Sequence, residues 1–103
     1  MLNLLALETF TPHLGSTFRV TLAGGVVVDL ILTEATSLGT SPGLRPDGTD
    51  RRAPFSLFFS GPIQPVLPQR IYYLEHPSVA GLDIFIVPLG PHEDGVRYQA
   101  IFS

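Results

Sequence analysis

Arg52-Ala-Pro-Phe-Ser-Leu-Phe-Phe-Ser-Gly-Pro62 is the stretch whose reading decides the fold. Between its prolines, Phe55, Leu57 and Phe59 point one way and Ser56, Phe58 and Ser60 the other. This is the period-two pattern of a strand with one buried face. Gly61-Pro62 ends it, since proline cannot donate to a ladder. An aromatic strand of this kind needs partners on both sides, and the flanking segments read as suppliers.

Downstream, Pro62, Pro65 and Pro68 make 63–68 an extended connector without regular ladder bonds. Residues 70–76 follow as a strand, with Ile71, Tyr73 and Glu75 opposite Tyr72, Leu74 and His76. Pro77-Ser-Val-Ala-Gly81 turns it back. Residues 82–89 are nearly continuous in apolar side chains, which predicts a strand covered on both faces. The polar loop Pro91-His-Glu-Asp-Gly95 then leads into a last strand, 96–102.

Upstream, Phe18, Val20 and Leu22 alternate with Arg19 and Thr21, a half-buried strand. Ala23-Gly24-Gly25 supplies the positive-φ positions of a tight hairpin turn. The return strand, 26–35, places Val26, Val28, Leu30 and Leu32 on one face; Val27 and Ile31 share the other with Asp29 and Thr33. Residues 36–53 lose all hydrophobic period and read as a long mobile surface loop, with Pro46-Asp-Gly48 as a turn inside it. Residues 1–15 hold the one helical pattern, Leu4, Leu7 and Phe10, which Pro12 limits to a turn or two. The whole predicts a single all-β domain over 1–103. About six antiparallel strands form a small barrel or sandwich, with a short N-terminal helical turn.

Composition narrows the function classes. Charged residues make up 15% of the 103, well under the usual ~25%, while 45% are hydrophobic. A small domain so poor in charge is expected to have part of its surface covered by a protein partner or another copy of itself. The net charge is −3, and all six basic residues are arginines scattered along the chain apart from Arg51-Arg52. That argues against nucleic acid, whose affinity comes largely from neutralised phosphates. Cysteine is absent, so there is no disulfide framework and no thiolate metal site. Nothing approaches the ~20 apolar residues of a membrane helix. Leu2 to Leu7 lacks the form of a secretory leader, which favours the cytoplasm.

Four segments carry a resemblance across nearly the whole chain: Arg52 to Pro62; Pro68-Gln69 with Tyr72 and Leu74-Glu-His-Pro77; Phe85-Ile-Val-Pro-Leu-Gly90; and Gly95-Val-Arg-Tyr-Gln-Ala-Ile-Phe102. Together with Gly15 and Phe18 they resemble an uncharacterised family of small bacterial all-β proteins. Some of its members are associated with phage-tail-collar-like proteins. The resemblance implies a structural or accessory role and transfers no catalytic residue. Arg70 stands where the family tends to have a small residue such as glycine.

Residues that could carry chemistry are few. Glu75 and His76 adjoin, so on a strand they face opposite sides and cannot act as one acid–base couple. Glu75 is expected to form a structural ion pair with Arg97 on a neighbouring strand. His13, His76 and His92 share no metal-ligand spacing. No Gly-x-Ser-x-Gly elbow is present, and Gly24-Gly25 lacks the lysine of a phosphate loop. No catalytic residue, cofactor or metal is expected. Phe58 and Tyr72, each out of phase with an apolar series, join Val27 and Ile31 as candidate interface residues. The expected function is a non-enzymatic protein-interaction or structural/accessory module, such as one belonging to a phage-tail-like particle. The alternative is a small-ligand or glycan binder that uses rim aromatics and the 36–53 loop.

Overall fold

The strand in the quoted stretch is β3, Phe55–Gly61, and it lies between two long partners. The computed structural model describes residues 7–38, 54–93 and 95–102. Before β3 come a helical turn α1 (Leu7–Phe10), a 3-10 turn (Thr11–His13), β1 (Thr17–Thr21) and β2 (Val27–Ser37). After it come β4 (Arg70–His76), β5 (Val79–His92) and β6 (Gly95–Phe102). The six strands close into an antiparallel barrel in the order β1-β2-β3-β6-β5-β4. Two three-stranded meanders are thus joined through β3 with β6 and through β1 with β4.

The alternation forecast for β1, β2 and β3 is what the barrel uses, except at Val26, which belongs to the turn ahead of β2 and is exposed. Phe18 and Val20, then Val28, Leu30 and Leu32, then Phe55, Leu57 and Phe59 are all buried. The β1–β2 turn runs through Ala23–Gly25, with Gly24 and Gly25 at φ 84° and 85°, a region that costs an L-residue more than glycine. β2 runs further than the sequence suggests. Thr36 pairs with Ser56 and Ser37 with Phe55, and Leu38 donates its N–H to the Pro54 carbonyl at 2.9 Å. The ladder therefore takes 36–38 out of the expected loop; 39–53 lies outside the described residues. Bulges at Thr33 in β2 and ahead of Gly90 in β5 add the bend a closed six-stranded sheet requires.

Two plugs fill the ends. At one end the ring of Phe10 is fully buried against Phe18, Phe55 and Phe102, with centroids 6.5, 5.9 and 5.8 Å away. Phe55 and Phe102 stack at 4.6 Å, and Phe18 meets Phe59 edge-on at 5.7 Å. At the other end the proline-rich connector crosses from β3 to β4 and inserts Leu67. Its backbone has no ladder, so side chains satisfy it. Leu67 donates its N–H to the Tyr98 hydroxyl at 2.9 Å, and the Tyr72 hydroxyl donates to the Pro68 carbonyl at 2.6 Å. Each of these contacts meets a buried polar group that would otherwise cost about 1–3 kcal/mol. A barrel of six strands is filled by its own side chains; roughly eight are needed before a ligand fits inside. Any site therefore lies on the outer wall or at a rim. Among the described residues no helix is long and apolar enough to cross a membrane.

Candidate interaction surface

The outer wall divides into a polar part and an apolar part. On β2, β3 and β6 the outward side chains form a hydrogen-bonded network. Arg97 meets Glu34 at 3.1 Å, Thr36 donates to the other Glu34 oxygen at 2.8 Å, and Gln99 donates to Ser56 at 3.1 Å. The Arg97 guanidinium also lies over the Phe58 ring, 4.4 Å from its centroid. The pair expected between Glu75 and Arg97 is replaced by this one. Arg97 pairs with Ser60 in the β3–β6 register, and the Thr33 bulge brings Glu34 within its reach. Glu75 sits on the exposed face of β4, opposite Arg19 of β1.

These positions differ in energetic weight. Arg97→Ala loses a half-exposed ion pair and a cation–π contact, so its stability is expected to fall by about 1 kcal/mol. Glu75→Ala is expected to stay within about 0.5 kcal/mol of wild type. Urea titration of both variants checks the ranking. An equal or larger loss at Glu75 would return that carboxylate to a buried pair.

Of the four candidate interface residues, only Val27 and Ile31 stand clear in solvent. Along the β1–β2 register they are separated by the Arg19–Asp29 pair, at 3.8 Å, and so do not form one apolar surface. Phe58 is half-buried under Arg97. Tyr72 points into the barrel at 6% exposure, contrary to expectation, because its hydroxyl finds the Pro68 carbonyl there. Burial, first among the influences on it, raises the Tyr72 pKa, and Tyr98 adds to this while Arg70 opposes it. The phenol stays neutral and can keep donating.

The apolar part lies on β4 and β5. Ile71 and Phe85 are directly opposite each other in register and are 63% and 47% exposed. Tyr73, two residues along β4, is 53% exposed, and its hydroxyl end rests on the α-carbon of Gly81, where no side chain competes for the space. On the other flank Val87 pairs with Gln99, which brings the exposed Ile101 of β6 level with Phe85. The continuous apolar run of β5 was expected to be covered on both faces. The barrel covers only the inner one, through Ile84 and Ile86.

Two surface clefts complete the wall. One of about 430 Å³ lies beside Glu34, Arg97, His92 and Glu93; its arginine is already held by Glu34 and Phe58. The other, about 440 Å³, lies beside Arg19, Glu75 and His76.

With this geometry in place, comparison with known families gives a match over residues 5–102 to a domain of unknown function, DUF6916. The chain belongs to the DUF6916 family. Neither a curated protein nor a solved structure matches it. In this DUF6916 domain, the exposed Ile71–Phe85–Tyr73 cluster is the feature that the sequence pattern missed. Its signal was present in the second apolar phase of 70–76, which carries Ile71 and Tyr73 just as the first carries Tyr72 and Leu74.

Proposed function

We propose that this DUF6916 domain is a non-enzymatic protein-interaction module, a structural or accessory subunit of a larger assembly such as a tail-like particle, and that it docks through the outer wall of β4 and β5. The observation that supports this is the Ile71–Phe85 pair, apolar, exposed and adjacent, with Tyr73 held flat beside it on Gly81. Aromatic side chains on a rigid sheet lose little conformational entropy when they are covered, which suits them as anchors of an interface. Closure of the barrel leaves faces rather than strand edges as the means of contact. The glycan reading has less support, since Phe55, Phe59 and Tyr72 are enclosed and Phe58 is capped by Arg97.

The test replaces Ile71 and Phe85 by aspartate together and compares melting temperature, self-association by light scattering, and cross-linked contacts in native lysate. Both side chains are outside the core, so the variant is expected to fold. Loss of one anchor worth about 2 kcal/mol weakens an interface about thirtyfold, and loss of both about a thousandfold. Cross-links that map to β4 and β5 in the wild type, and vanish in the variant, support the docking wall. Persistence of the same contacts in the variant, or a wild type that is monomeric and contacts nothing, overturns it.

A further inference from the structure

His13 and His76 are far apart in sequence, yet their rings meet edge to face with centroids 4.7 Å apart. His76 also lies 4.7 Å from the ring of Phe18. This is the only place where the turn after α1 touches the β4–β5 turn through titratable groups among the described residues. The same N-terminal segment carries Phe10, the plug of that barrel mouth. The segment is tethered immediately behind the histidine. Gly15 donates its N–H to the Leu32 carbonyl at 2.7 Å, and Leu32 donates back to Ser16 at 3.0 Å. Gly15 itself has φ 85°, a conformation open to glycine. With Gly15 and Ser16 both clamped to Leu32, the exposed Leu14 is the joint ahead of the anchor, and residues 7–13 with their plug form the unit beyond it.

The geometry points to a pH-operated lid: protonation of His76 parts its ring from that of His13, swings residues 7–13 about Leu14, and lifts Phe10 out of the mouth formed by Phe18, Phe55 and Phe102. The contact suits an uncharged His76 ring. Ser78 donates its N–H to His76 Nδ1 at 3.0 Å, so that nitrogen bears no proton and the neutral ring carries its proton on Nε2. Adding a proton to Nδ1 sets two donors against each other. It also places a positive ring beside a second histidine.

The surrounding charges do not offset this. Glu8 is on the exposed side of α1, and Arg19 and Glu75, which line the cleft beside His76, oppose each other across the β1–β4 register. β3 and β6 bring only phenyl rings, Phe55 and Phe102, to the plug. Burial first, and His13 second, lower the His76 pKa from its ordinary value. The closed state therefore binds fewer protons than the open one. Its advantage is complete above the ordinary histidine range, near pH 6.5, and is lost as the pH falls through the lowered value. An opened mouth presents three aromatic rings to an apolar side chain.

Amide hydrogen exchange tests the lid with an internal control. The Ser16 N–H is bonded to the His13 carbonyl at 2.9 Å and loses that acceptor when the segment moves, whereas the Gly15 N–H stays bonded to the Leu32 carbonyl of the anchor. Between pH 7.5 and 5, after correction for intrinsic rates, protection at Ser16 is expected to fall by about twofold or more relative to Gly15. Substituting both His13→Gln and His76→Gln abolishes that dependence, while His92→Gln retains it. A Ser16 to Gly15 ratio that does not change with pH in the wild type overturns the lid, and so does an unchanged dependence in the double variant.

Discussion

Phe59→Ala is expected to destabilise the domain by about 3–5 kcal/mol, the cost of emptying a buried aromatic site that cannot collapse. Phe59 has no exposure and meets Phe18 edge-on, so its removal leaves a hole between β3 and β1. A domain of this size has roughly 5–15 kcal/mol in total, so the variant should lie at or near the edge of folding. Its neighbour gives the contrast. Phe58 points outward and loses only its contact with the Arg97 guanidinium, so Phe58→Ala is expected to cost about 1 kcal/mol or less. Equilibrium urea unfolding of both variants measures the phase of β3 directly. Similar losses at the two positions would mean that β3 is covered on both faces. Capped by Arg97, Phe58 is a weaker anchor for an interface than Ile71 and Phe85, which lie exposed.

How much of this was legible in the sequence depends on how polar the second face of each strand is. In β1 the outward residues are Thr17, Arg19 and Thr21, and in β2 Asp29 and Thr33 stand among Val27 and Ile31, so one phase stands out as the inner one. In β4 both phases are apolar, and alternation alone cannot choose between Tyr72 and Tyr73. The choice is made by a hydroxyl partner, the Pro68 carbonyl, which belongs to a connector whose path over the barrel end is a tertiary fact. β5 has the same ambiguity: a run apolar in both phases predicts cover on both faces, and the chain by itself covers only the inner one. The long-range pairings were beyond reach for a different reason. Arg97 meets Glu34 because a bulge at Thr33 re-aims β2, and His13 meets His76 because β1 pairs with β4; neither spacing leaves a mark on local pattern. The N-terminal turn was readable because Pro12 follows Phe10 so closely. Its role as a plug was not, since a buried ring and an exposed one look alike in a two-turn segment.

Gly95→Ala is expected to be among the most disruptive single-methyl changes in the barrel, at about 3 kcal/mol, the upper part of the overpacking range. A β-carbon on Gly95 would collide with the carbonyl oxygen of Gly61, and that oxygen is backbone, fixed by the pairing of β3 with β6. Gly61→Ala is the matched comparison. Its β-carbon would come within 2.8 Å of Leu30 Cδ2 and 2.9 Å of Tyr98 Cε2, buried side-chain atoms that can shift by a few tenths of an ångström where a ladder carbonyl cannot. Its cost is therefore expected nearer 1 kcal/mol. Neither glycine adopts a positive φ, so conformational strain does not enter and the difference isolates close approach. Chemical denaturation ranks the pair; a Gly95 variant as stable as the Gly61 one would show that β3 and β6 have room to part at this end. The consequence extends to function. Parting them would expose unpaired edges of β3 and β6, and an open sheet recruits other chains without selectivity. The Gly95 variant should then aggregate in proportion to its concentration even with Ile71 and Phe85 both replaced by aspartate, whereas association through the β4–β5 wall would be lost with those two side chains. Closure leaves the barrel no bare strand edge of that kind, so the exposed side chains of its outer wall are what it offers to another chain.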